Sequence, residues 1–127
     1  MGKLSLKRQK LKFGYKVVTP TKVRTSAFAK DECLEAVVTY STEYYAERPR
    51  NDDGKLFGPL AVFNNFDSAD DFRLLISPKE VWFCVYQPSK AKSMWYLTRW
   101  GARRFFTGNV PKGTVYADFV RLIERMR

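Results

Sequence analysis

Apolar and polar residues alternate along the first part of the chain, which is the period of a β-strand. The stretch FGYKVVTP, residues 13–20, alternates until Pro20 ends it. The stretch TKVRTSAFA, residues 21–29, alternates in the same way. The two stretches predict neighbouring strands joined as a hairpin through residues 19–22.

Further apolar runs predict most of the remaining strands. The β-branched and aromatic residues of AVVTY predict a strand over 36–40, followed by an irregular tyrosine-rich segment. Residues 60–63, LAVF, predict a short buried strand. In EVWFCVYQP, residues 80–88, an unbroken apolar run is typical of a central strand buried on both faces. MWYLT at 94–98 and RRFFTG at 103–108 predict two more short strands.

Two segments have the spacing of helices. Ser68 is a good N-cap with Asp71 three residues later as the partner acid, and Pro78 ends that segment. In TVYADFVRLIERMR, residues 114–127, apolar positions 115, 119, 122, 123 and 126 fall on one face and predict a second helix. The order of elements predicts an α+β fold: a mainly antiparallel sheet with one short central helix and a C-terminal helix.

The length of 127 residues is that of one domain. We expect a flexible basic tail over residues 1–12 and a single α+β domain over 13–127. The start, MGKLSLKRQKLK, has no apolar stretch behind its positive charges, so no secretory signal is predicted. No run is long and apolar enough for a membrane span, and we expect a cytoplasmic protein without membrane contact.

Composition argues against several enzyme mechanisms and leaves carboxylate, Lys, Tyr or Cys chemistry. The chain has no histidine, which removes Ser-His-Asp and Cys-His nucleophiles and the usual zinc sites. The adjacent acids at 52–53 and 70–71 fit a turn and a first helical turn, so no catalytic residue, metal or cofactor is predicted. Cys33 and Cys84 are isolated, and we expect both to be reduced and buried rather than paired.

The net charge of +10 is unevenly spread. Residues 1–30 carry +9, residues 31–78 carry −6 and residues 79–127 carry +7. This pattern indicates an anionic partner, although a high pI also serves solubility alone. Both interpretations stay open at this point.

Aromatic and basic residues interleave in MWYLTRWGARRFFTGN, residues 94–109. Aromatic rings stack on bases and arginine contacts phosphates, so this segment predicts a nucleic-acid surface. The alternative is that the rings are core and the arginines extend outwards. The predicted contact residues are Arg99, Trp100, Arg103, Arg104, Lys90 and Lys92.

A second candidate surface lies in TYSTEYYAERPR, residues 39–50. Tyr40, Tyr44 and Tyr45 lie among acids, and tyrosine is a residue typical of protein interfaces. Packing at a sheet edge is the structural alternative. This segment supports the second functional hypothesis, a phage-type interaction or inhibitor domain acting on a host protein.

Four strings of the sequence together resemble small single-domain proteins of phage and bacterial genomes. They are YKVV, GPLAVFNNFDSADDF, VWFCVYQPS and PKGTVYADFVRLIE, and the resemblance covers most of residues 13–125. It implies one compact domain and no established activity. The residues themselves favour a non-enzymatic nucleic-acid-binding protein that contacts mainly phosphates, of unknown oligomeric state.

Overall fold

A computed structural model describes eight segments of the chain, residues 10–20, 24–25, 38–48, 59–75, 79–91, 95–98, 101–104 and 111–127. In this part of the chain there are nine strands and one helix. They are β1 (Lys12–Val18), β2 (Arg24–Thr25), β3 (Thr39–Tyr40), β4 (Ala46–Glu47), β5 (Leu60–Phe63), α1 (Phe66–Leu75), β6 (Glu80–Pro88), β7 (Trp95–Thr98), β8 (Gly101–Arg104) and β9 (Thr114–Arg125).

Four of the strands close into a small antiparallel barrel. β1 pairs with β5 on one side and with β6 on the other. The long strand β9 pairs first with β5, through Thr114–Ala117, and then with β6 as far as Arg125. Each of the four strands therefore has two neighbours, and β4 adds to β9 where β5 has ended. A closed ring of this kind leaves few unpaired backbone groups at its edges.

The predicted hairpin between β1 and the next strand is wrong. β2 pairs with β3 instead, while all seven residues of β1 pair with β6. The reason is burial on both faces of β1. Val18 faces the barrel interior and Val17 faces the helix. Both side chains are buried only when β1 is one of the strands of the barrel wall. β7 and β8 form a separate two-stranded hairpin.

The core has two layers, one inside the barrel and one between the barrel and the helix. The inner layer consists of Val18, Val38, Tyr40, Ala46, Leu60, Val62, Cys84, Tyr86, Ala117, Val120 and Leu122. The outer layer joins Ala69 of α1 to Val17, Phe63 and Val81 on the barrel wall. Because of this packing, α1 covers the part of the outer wall around Val17, Phe63 and Val81.

The predicted central helix is confirmed, but it begins two residues before Ser68. The side chain of Asn65 caps it, since Asn65 Oδ1 accepts a hydrogen bond from the Ser68 backbone N–H at 2.8 Å. Asn65 is thus the N-cap and Ser68 the third helical residue. Asp67 lies in the first turn, where a negative charge is favourable.

The predicted C-terminal helix is wrong, because Thr114–Arg125 is strand β9. The described part of the chain is therefore a mainly antiparallel sheet with one short helix. Asp118 and Ile123 are extra residues that have no paired residue on β6, so β9 has a β-bulge at each of them. The first bulge moves the buried positions from Ala117 to Val120, a spacing of three that also fits a helix. Ile123, predicted to face inwards, is 44% exposed.

Candidate nucleic-acid interface

Strands β1, β6 and β9 form one wall of the barrel. We call the side of this wall that points away from the barrel interior the outer face. Residues opposite one another in register share a face of the sheet. One row across the outer face is Phe13, Val85 and Arg121. The next row is Tyr15, Phe83 and Glu124. Two neighbouring strands thus place aromatic rings on the same side of the barrel.

These rings touch one another in a continuous series that we call the aromatic column. Phe66, the first residue of α1, meets Tyr15 edge to face at 5.7 Å between ring centres. Tyr15 contacts Phe83 at 5.6 Å, and Phe83 stacks on Phe13 at 5.3 Å with only 10° between the ring planes. The column ends at Phe13, whose side chain is 63% exposed. A large ring at this exposure is available to a ligand.

Four lysines lie at the end of the barrel where the aromatic column stops. β1 begins and β6 ends there, since Lys12 pairs with Tyr86, and β9 begins there beside the end of β5. Lys10 and Lys12 thus come together with Lys90, just after β6, and Lys112, just before β9. We call these four the lysine rim.

All four lysines of the rim are exposed. Among the described residues none of them has an acidic partner within ion-pair distance. Asp67 in the first turn of α1 is an exposed acid at the same end. The balance of charge at this end is positive, and it is available to a partner.

Four described arginines contact acids of the fold, namely Arg48, Arg73, Arg125 and Arg127. Arg48 contacts Asp118 at 3.0 Å, and this pair ties β4 to the first bulge of β9. At the end of the barrel opposite the lysine rim, Glu80 contacts Arg125 at 3.4 Å. Ion pairs of this kind fix the positions of neighbouring elements, so these arginines are less available to a ligand than the rim.

Arg121 projects from the outer face and is held in place. Its Nε donates a hydrogen bond to the Thr42 carbonyl at 2.8 Å. The guanidinium carbon lies 6.0 Å from the centre of the Tyr45 ring, which is within cation–π range. Arg121 is nevertheless exposed. Its guanidinium is therefore ordered in advance and still accessible to an anion.

The structure describes only part of the predicted contact segment. Lys90 is described, and it belongs to the lysine rim. Lys92, Arg99 and Trp100 lie outside the described residues. Arg103 and Arg104 lie in β8, in register with Tyr96 and Trp95, and their role as contact residues stays a prediction.

The three predicted interface tyrosines differ from one another. Tyr40 is a core residue at 3% exposure, so it cannot contribute to a surface. Tyr44 is 49% exposed, and its hydroxyl shares a hydrogen bond of 2.9 Å with the Thr39 hydroxyl. Tyr45 is half-buried beneath Arg121. Only Tyr44 and Tyr45 are placed to meet a partner.

Two side chains with reactive groups, an amine and a thiol, are buried inside the barrel. Lys16 is 1% exposed, donates a hydrogen bond to the Ala61 carbonyl, and holds its Nζ 4.8 Å from the centre of the Tyr40 ring. Cys84 is a free thiol, and burial raises its pKa to about 12, against the opposing effect of Lys16. Such a thiol stays protonated at neutral pH, so this pair belongs to the core.

Two absences concern only the described segments. There, no three Cys, Asp or Glu side chains come together in a way that could hold a metal ion. The helix in the same segments is too short to cross a membrane. Cys33 lies outside them, so the prediction that it is reduced and buried is untested.

Comparison with protein-family models, with curated proteins and with solved structures finds no match. The resemblance to phage and bacterial proteins therefore stays a prediction. The functional hypothesis rests on the residues of this chain, and chiefly on the outer face and the lysine rim.

Sequence reasoning missed the exposed ring of Phe13. The available signal was the alternation of Lys10 and Lys12 with Leu11 and Phe13, which places basic and apolar groups on opposite sides of one strand. Residues 1–12 were predicted to be a tail, yet Lys12 is already part of β1.

Proposed function

We propose that this protein binds nucleic acid, mainly through phosphates, at the lysine rim and the neighbouring outer face. The observation that carries the proposal is the exposed Phe13 ring at the end of an ordered aromatic column, on the same strand as the exposed Lys12 of the rim. The combination of stacking rings and a positive border is typical of proteins that bind nucleic-acid strands. A cytoplasmic location belongs to the same proposal.

Phosphate contacts supply most of the affinity in this proposal. Each lysine that neutralises a phosphate releases a counterion, and it steepens the dependence of log K on log salt by roughly 0.7–0.9. Lys10, Lys12 and Lys90 together would contribute a slope of roughly 2–3 on that scale. Arg121, on the β9 side of the outer face, adds a further ordered cation.

The test is a salt titration of the affinity for a fluorescently labelled oligonucleotide. Lys12→Gln should lower the log–log slope by roughly 0.7–0.9, and the triple change at Lys10, Lys12 and Lys90 by roughly 2–3. Lys79→Gln is the matched control, because it removes the same charge at the opposite end of the barrel. We expect its slope to equal that of the unaltered protein.

Two results would count against the proposal. In the first, Lys79→Gln and Lys12→Gln lower the slope equally, which would mean that only net charge matters. In the second, the unaltered protein binds no nucleic acid at low salt. That second result would favour the alternative, binding of a host protein, for which the exposed Tyr44 and the Arg121–Tyr45 pair are the available surface.

A further inference from the structure

The open side of the Phe13 ring is the starting point. Phe83 lies almost parallel to Phe13 at 5.3 Å and covers one side of its ring. Because Phe13 is still 63% exposed, the other side of the ring faces solvent. The aromatic column therefore ends in an uncovered π-surface beside Lys12 of the lysine rim.

We infer that this surface takes an unpaired nucleobase, so that the preferred ligand is single-stranded nucleic acid. The inference rests on the proposed function and specifies its ligand. A base laid on Phe13 extends the aromatic column by one ring. In the interior of a duplex both sides of each base are already stacked on neighbouring base pairs, whereas every base of an unpaired strand can turn a free side to Phe13.

The surroundings of Phe13 indicate little discrimination between bases. Its neighbour across the strand pair is Val85, and Leu11 lies two residues before it on the same side of β1. Neither side chain has a donor or acceptor with which to distinguish the edges of bases. Stacking alone accepts any base, since every base has a π-surface.

The outer face places a cation in the same row as the Phe13 ring. Phe13 and Arg121 are two strand spacings apart, about 10 Å, which a short stretch of a single strand can span. A base on Phe13 and a phosphate at Arg121 would thus belong to one short segment of the same strand. Lys10 and Lys12 would contact phosphates on the other side of Phe13.

The experiment compares three oligonucleotide probes by fluorescence anisotropy at one low salt concentration. They are a single-stranded oligothymidine, a duplex of equal length and an abasic strand of equal length. We expect the unaltered protein to prefer oligothymidine over the other two. Phe13→Ala should weaken oligothymidine binding by about 5- to 150-fold, which corresponds to the loss of one stacked base. Phe13→Ala should leave duplex and abasic binding unchanged.

Two further variants separate stacking from other effects. Phe13→Trp should retain the preference for oligothymidine, whereas Phe13→Leu, which is apolar without a π-surface, should lose it. Leu74→Ala is the control, because Leu74 is an equally exposed apolar residue on α1. Circular dichroism melting of each variant shows whether its fold is intact, as expected for changes at exposed positions.

Equal affinity for all three probes, with no effect of Phe13→Ala, would overturn the inference. If the Lys12→Gln slope change persists in that case, phosphate binding at the rim stands and only the base site is wrong. Failure of every probe to bind would remove both. The two ideas are thereby separated by the same set of measurements.

Discussion

Gly14 lies where β1 passes closest to β5 and to the interior, and Gly14→Ala is the sharpest test of the barrel. A Cβ at this position would lie 2.8 Å from the Phe63 carbonyl oxygen and 3.0 Å from Cε1 of Tyr86. Both distances are shorter than ordinary van der Waals contact. We therefore expect the added methyl group to force β1 away from β5 or to displace the Tyr86 ring.

The expected magnitude is the difference between two opposing effects. Forcing one extra carbon into a packed core costs about 1–3 kcal/mol. Replacing Gly by Ala without strain would instead stabilise the protein by about 0.4–1 kcal/mol, because the unfolded chain loses freedom. The net result for Gly14→Ala is a loss of up to about 2.6 kcal/mol. The sign is set by the Phe63 carbonyl, which is backbone and cannot rotate away.

Equilibrium unfolding in urea measures this loss. With a slope near 1.5–2 kcal/mol per molar, a mid-range loss lowers the urea midpoint by roughly 1 M, and the slope itself should not change. Leu74→Ala is the control, since this side chain is 64% exposed and its removal should barely move the midpoint. The same assay on Phe13→Ala shows whether a binding defect of that variant comes from a loss of stability.

A second substitution tests the origin of the loss. In a Tyr86→Leu background one of the two close contacts is gone, so Gly14→Ala should cost measurably less there than in the unaltered protein. If Gly14→Ala is neutral or stabilising in the unaltered background, the close approach of β1 and β5 is wrong. If the cost is equal in both backgrounds, the Tyr86 ring plays no part in it.

Two more predictions concern the helix cap and the buried thiol. Asn65→Ala should cost roughly 0.5–2 kcal/mol in the same urea assay, because the cap of α1 is lost, whereas Ser68→Ala should cost less; the reverse order would restore Ser68 as the cap. In a Cys33→Ser background, Cys84 should react with a thiol reagent at pH 8 only after denaturation, and fast reaction of the native protein would contradict its burial. Burial raises the pKa of Cys84 to about 12, above the unfolded pKa of about 8.5. The neutral thiol therefore stabilises the fold fully below a pH of about 8.5, and this stabilisation is lost as the pH rises towards 12. Cys84→Ala should remove that part of the pH dependence.

The local sequence pattern predicted those strands whose pattern does not depend on which strands they pair with. The run at Leu60–Phe63 and the apolar stretch of Glu80–Pro88 are strands in the structure, within the predicted bounds. Both strands have a neighbour on each side and are covered on both faces, so their residues are apolar whichever strands they pair with. The helix was predictable for a similar reason, because its capping residues act within one turn, although the predicted cap Ser68 is wrong and Asn65 is the cap.

Pairing and bulges were not predictable in this way. β9 pairs with residues of β5 and β6 that lie 29 to 57 positions earlier in the chain, and its two bulges interrupt the alternation that marks a strand. Within the segment 114–127 the resulting apolar spacing fits a helix as well as it fits a bulged strand. Only the partners β5 and β6 decide between the two, and their positions are not encoded within the segment.

The candidate site could not be predicted from the sequence either, because it too depends on how the strands pair. The inward and outward sides of β1 are ambiguous in the sequence, because Lys16 appears to mark a solvent side and in fact lies inside the barrel. Once Lys16 is inside, alternation places Phe13 and Tyr15 outside, where they meet Phe83 of β6. The burial of one lysine thus determines that an aromatic surface is exposed, and the barrel closure then brings lysines from three separate parts of the chain to its border.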